Sequence, residues 1–125
     1  MERSIVPETT VVFYSDAHGK APALEWLQRQ PTKVRDKFRV VMGQLQEKGG
    51  SLSRPYAAPL RDKVYELRVQ WQNVHYRMLY FFHGNVAVLA HGCTKEDRVD
   101  AADIDRAVAR RDLFQQDTTA HTFKG

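Results

Sequence analysis

Apolar and polar positions along the chain alternate with two periods, and the switches between them outline the elements. Thr9 to Ser15 (TTVVFYS) is rich in β-branched and aromatic residues and is followed by Asp16, His18 and Gly19, so it predicts a first strand ending in a turn. Pro22 suits the first turn of a helix whose short stripe, Leu24 and Leu27, ends before Pro31. Val34, Phe38, Val41, Met42 and Leu45 then recur along one face of a second helix, with Lys33, Lys37, Gln44 and Lys48 on another and Gly49 and Gly50 as its stop.

Residues 49 to 60 hold two Gly and two Pro and read as a loop. Three strands follow as a meander, Lys63 to Trp71, Val74 to Phe82 and Val86 to Cys93, with tight turns at Gln72-Asn73 and Gly84-Asn85. Asp100 is placed to N-cap a last helix with Ala101, Ile104, Ala107 and Val108 on one face and Arg106, Arg110 and Arg111 near its basic end. The polar tail, 115–125, is expected to fray. The order β-α-α-β-β-β-α predicts a single small α+β domain over 1–125. In it an antiparallel meander sheet packs one face on the two N-terminal helices and leaves part of the other open.

The hairpin turns bring particular side chains together. A two-residue Gln72-Asn73 loop sets Arg68 directly across from Arg77. Tyr65, Leu67, Val69, Trp71, Val74, Tyr76, Met78, Tyr80 and Phe82 then take the core face, and Glu66, Gln70 and His75 join the arginines on the other. Like charges opposite each other repel, so the arginine pair needs an anion, and either Glu66 or a phosphate supplies one. His91 depends on the second hairpin. A two-residue loop at Gly84-Asn85 sets it across from Met78, in the core; a three-residue loop starting at His83 sets it across from Arg77.

Composition narrows the function. The chain has 125 residues, 42% of them apolar and 27% charged, which suits one globular core. Its one cysteine, Cys93, cannot close an intrachain disulfide and reads as a packing residue, so a reducing, cytoplasmic setting is expected. No apolar run is long enough to span a membrane, and the N-terminus MERSIVPETT lacks the pattern of an export leader. The net charge of +4 is concentrated in the middle, where residues 33–48 and 49–83 carry +3 each, which favours a polyanionic partner. No zinc-ligand spacing, phosphate loop or GxSxG element occurs among the five His, one Cys and seven Gly. Neither a metal nor another cofactor is expected.

The strings YELR (Tyr65 to Arg68), YRMLYFF (Tyr76 to Phe82) and HGCTK (His91 to Lys95) resemble the phage-derived Gp49-like, HigB branch of the RelE/ParE toxin superfamily. So do FYSDAHGKAPALEWL (Phe13 to Leu27), the basic KVRDKF helix, Pro59-Leu60 and the arginine-rich last helix, in the same order. The resemblance implies a RelE-like domain acting as an mRNA interferase on the ribosome. In that reaction a 2′-hydroxyl attacks the adjacent phosphate without a metal, and an antitoxin, expected to be a helix-turn-helix DNA-binding protein, holds the toxin in check. It implies Arg77 as phosphate clamp assisted by Arg68, His91 and Lys95 as acid/base or phosphate-contacting groups, and Arg61, Lys63, His75 and Arg98 along the RNA. Two departures bear on this: Cys93 stands where the branch carries an aromatic, and the acidic Glu96 to Asp100 stretch replaces a basic run. The competing readings are a ParE-like toxin that inhibits DNA gyrase without RNA chemistry and an inactive remnant that only binds antitoxin. Arg68, Arg77 and His91 on one open face would favour the nuclease, and an apolar groove with His91 buried would favour a binding protein.

Overall fold

A computed structural model describes residues 8–125. The elements are β1 (Thr10–Phe13), α1 (Pro22–Gln28), α2 (Thr32–Lys48), β2 (Ala57–Pro59), β3 (Tyr65–Trp71), β4 (Val74–His83), β5 (Val86–Thr94) and α3 (Ala101–Gln116). They form a small α+β domain with a five-stranded sheet in the order β1-β5-β4-β3-β2.

Local chemistry accounts for most boundaries. Pro22 opens α1, where its missing N–H is no loss, and α2 buries Val34, Phe38, Val41 and Leu45 at helical spacing. Gly49 ends α2 with a φ of 53°, and its bare Cα lies against the Thr9 hydroxyl where a Cβ would not fit. Gln72 and Asn73 both take positive φ, the requirement of a type I′ turn, and the β3–β4 register is the expected one, with Arg68 opposite Arg77.

Three features differ from expectation because they depend on distant partners. The sheet is mixed, since β1 pairs in parallel with β5. Ala57–Pro59, inside the expected loop, forms β2 against Tyr65, Glu66 and Leu67. The tail does not fray: Ser15 donates its N–H to His121 O, Phe123 donates to Phe13 O, and the His121 ring stacks on Tyr14 at 5.4 Å. A free outer edge on β1 is what this pairing removes.

Both sheet faces carry a core. One packs Leu67, Val69, Tyr76, Met78 and Tyr80 on Val34, Phe38 and Leu45 of the helices. Trp71 is only partly buried at its margin, and Val74, expected inside, is exposed at the hairpin turn. The other face packs Val64, Leu79, Phe81, Val88 and Ala90 on Ile104, Ala107 and Phe114 of α3. Each fully buried Leu, Val or Phe contributes about 1.5–3 kcal/mol, so α3 is held on this second face by several such residues.

Candidate functional site

On the α3 side of the sheet, three cross-strand rows succeed one another along β3, β4 and β5. Glu66, Leu79 and His91 form the first, and Arg68, Arg77 and Cys93 the second. Gln70 and His75 form the third, closed by the Lys95 N–H donating to His75 O. Burial falls along this series. The first row lies beneath α3, whereas Gln70 is exposed and His75 and Lys95 are half-buried. The sheet face is therefore covered at one end and open at the other.

Glu66 supplies the anion that the arginine pair needs. Its carboxylate accepts from Arg77 Nη1 at 3.0 and 3.1 Å and lies 3.4 Å from Arg68 Nε. Arg77 Nη2 donates to the backbone carbonyl of Asp97, so the β5–α3 loop is strapped over the guanidinium. Arg77 is only 5% exposed, and its Nε is buried with no hydrogen-bond partner among the described residues. Two cations thus meet one carboxylate, with one donor left over. Beside them a surface cavity of about 280 Å³ is lined by Tyr56, Arg68, Gln70, His75, Tyr76 and Arg77.

His91 occupies a third register that neither expected loop produces. The Gly84-Asn85 turn pairs His83 with Val86, but between Leu79 and Tyr80 the register shifts by one residue, leaving Ala90 as a bulge and setting His91 across from Leu79. The bulge turns Ala90 and His91 both toward α3. There His91 Nε2 donates to Asp103 Oδ1 at 2.7 Å, while Nδ1 is 3.4 Å from Arg110 Nη1, which also donates to Ala90 O. Burial, joined by the nearby Arg110 and Arg106, lowers the His91 pKa against the opposing pull of Asp103, which keeps the ring neutral at pH 7. Both ring nitrogens are occupied, so in this arrangement His91 ties α3 to the sheet and has no lone pair facing the cavity.

Asp103 joins the deeper groups to the open row. Burial would raise its carboxyl pKa, but His91 and Lys95 outweigh that and hold it below the usual carboxylate range. Lys95 Nζ contacts Asp100 Oδ2 at 2.8 Å and Asp103 Oδ2 at 3.3 Å, so Asp100, placed at the N-cap position, serves Lys95 rather than the helix amides. Burial pushes the Cys93 thiol up to about 12, in keeping with a packing role. The donor atoms of His91, Cys93 and Asp103 lie within 4.8 Å of one another. The donor set is chemically able to hold a cation, but a protonated thiol and the Lys95 ammonium beside Asp103 oppose it.

The remaining expected residues lie apart from the cavity. Arg61 pairs with Asp62 at 2.6 Å and with Asp105 of α3, and Lys63 is exposed in the same turn at the start of β3, the far end from the cavity. Arg98 is exposed in the β5–α3 loop. The arginine pair and His75 share one face as the alternation predicts, and Lys95, named only by the resemblance, joins their end of the sheet through its N–H to His75 O. Sequence reading did not single out Asp103 and Arg110 as partners of His91, although their seven-residue separation puts them on one face of α3. Nor did it single out Tyr56, because nothing in a Gly/Pro-rich loop signals which side chain stands over a cavity.

A small α+β domain with a mixed five-stranded sheet, two helices on one face and one on the other is a RelE-like architecture. Residues 25–112 match the family model described as Phage derived protein Gp49-like (DUF891). The chain belongs to this family, a RelE/HigB-like toxin family, and its arginine pair, His75, His91 and Lys95 all lie within the matched residues. No curated protein matches the chain. Among the described residues no helix is long and apolar enough to cross a membrane.

Proposed function

We propose that the chain is the toxin of a toxin–antitoxin pair and cuts mRNA on the ribosome until a helix-turn-helix antitoxin neutralises it. The observation that carries this reading is the excess of positive charge at the cavity: Arg68 and Arg77, which both line it, share one carboxylate. A phosphate entering there takes charge-assisted hydrogen bonds from a planar guanidinium.

In the reaction the 2′-oxygen bonds to phosphorus as the bond to the 5′-oxygen breaks. One proton leaves the 2′-hydroxyl and one reaches the 5′-oxygen, giving a 2′,3′-cyclic phosphate and a 5′-hydroxyl. Arg77 and Arg68 hold the phosphate as its charge grows. His75, which lines the cavity and makes no side-chain hydrogen bond to another described residue, is the proton carrier in this arrangement. Lys95 lies in the same row. His91 and Asp103 act as positioning residues through α3 and Lys95.

The test is induced expression in bacteria with mapping of mRNA 5′ ends. Wild type should arrest growth and give codon-phased cuts, and His75→Ala and Arg77→Lys should lose the cuts while still folding and binding antitoxin. Arg77→Lys is preferred to Arg77→Ala because it retains a positive charge beside Glu66. Undiminished cutting by both variants would overturn the assignment. The burial of Arg77 and His91 beneath α3 and its preceding loop favours a second reading, a toxin that blocks a protein target such as DNA gyrase; growth arrest without cuts would establish it.

A further inference from the structure

We infer that the RNA site extends over the edge of the sheet to α2, where a second nucleotide stacks on Tyr56 and the neighbouring phosphate is met by Lys37. This rests on the RNA reading above. A second cavity, of about 350 Å³, is lined by Lys37, Val40 and Val41 of α2 and shares Tyr56, Arg68, Val69 and Gln70 with the cavity beside Arg77. The two therefore adjoin along β3, and the proposed RNA path follows them as one channel from Arg77 to the helix.

The channel exists because β2 is short. It covers β3 only as far as Leu67, and the last bond is the Arg68 N–H donating to Tyr56 O, so the outer edge of β3 from Val69 to Trp71 has no strand beside it. Tyr56 is placed at that point by its own N–H donating to Ser53 O at 3.0 Å. Tyr56 is 43% exposed, and Val40, 63% exposed, stands across the channel on α2. Two large apolar groups left in water on the walls of one groove call for an apolar face to cover them.

Charge selects what that face belongs to. Lys37, Arg68 and Arg77 follow one another along the channel, and Glu66, the carboxylate that meets the two arginines, lies buried beneath it. Cations spaced along a groove with an aromatic between them match a single-stranded nucleic acid, whose phosphates alternate with flat bases. Lys33 lies one turn before Lys37 on the exposed side of α2 and continues the same line. An acidic, apolar peptide is the other polymer that such a groove admits. The two guanidiniums that share a single carboxylate at one end favour the polymer that carries phosphate.

The experiment is fluorescence anisotropy of the purified chain with a labelled RNA hexamer made uncleavable by 2′-O-methylation, at several salt concentrations. Tyr56→Ala should weaken binding about 5- to 150-fold, the loss for one stacked base, and Tyr56→Phe should restore it. Lys37→Gln should reduce the steepness of the salt dependence by about 0.7, the release of counterions at one single-strand phosphate. If both variants bind as wild type does while Arg68→Gln binds weakly, the extension is wrong and the clamp stands. Absence of RNA binding by wild type at low salt overturns the clamp as well. Failure of the RNA to bind where poly-glutamate does would assign the channel to a protein and overturn the inference.

Discussion

Removing the carboxylate of Glu66 strands two guanidiniums, one of them in the interior. Glu66 and Arg77 side chains are 4% and 6% exposed, and two hydrogen bonds of 3.0 and 3.1 Å join them. Breaking such a pair from one side costs about 3–5 kcal/mol because the remaining charge is desolvated without compensation, whereas replacing both partners by apolar groups is often neutral or stabilising. For 125 residues an unfolding entropy of about 2.1 cal/mol/K per residue makes 1 kcal/mol equal to roughly 4 °C, so Glu66→Ala should lower Tm by about 12–20 °C. The double variant Glu66→Leu/Arg77→Leu should lose clearly less than Glu66→Ala. Urea and thermal unfolding followed by the fluorescence of Trp26 and Trp71 would measure wild type, Glu66→Ala, Glu66→Leu, Arg77→Leu and the double variant, with the coupling read from the cycle that the two leucine singles complete. If phosphate fits between the freed guanidiniums, tens of millimolar phosphate should return part of the stability lost in Glu66→Ala and should do less for wild type. The reasoning fails if each single change costs under about 1 kcal/mol, or if the double change costs the sum of the two.

Two further outcomes follow from the packing and the buried imidazole. A Cβ added at Gly92 would run into the Trp26 ring, so Gly92→Ala should destabilise by about 1–3 kcal/mol, whereas Gly43→Ala, with open space around it in α2, should stabilise by roughly 0.5–1 kcal/mol; denaturant midpoints of the two variants test the contrast. His91 has a folded pKa below its unfolded value of about 6.5, so the unfolded chain takes up the proton first on acidification. Its contribution to stability is present above that value and is lost as the pH falls through it toward the folded pKa. Melting curves between pH 8 and 5 should show a decline that is smaller in His91→Asn, and identical slopes for the two proteins would remove His91 as its source.

Hydrophobic periodicity and turn chemistry determined the three helices, the meander and the juxtaposition of Arg68 with Arg77, because these depend on residues near in sequence. The Gln72-Asn73 turn needs only its own backbone conformation, and strand alternation then carries Glu66, His75 and both arginines to one face. The same alternation held a signal that the expected half-open face did not use: Leu79 and Phe81 share the side of Arg77, and apolar residues there require a cover, which α3 provides. Only the tertiary structure decided the rest. The parallel pairing of β1, the docking of the tail on β1 and the pairing of β2 depend on segments far apart in the chain. The bulge at Ala90 reverses the side of a strand with no change in composition, and so moves His91 from either expected register into the grip of Asp103 and Arg110. Local sequence sets which groups a strand can present. Whether water, a helix or another charge meets them is settled by long-range packing, and that packing divides this site into a buried Glu66–Arg77 end and an open His75 end.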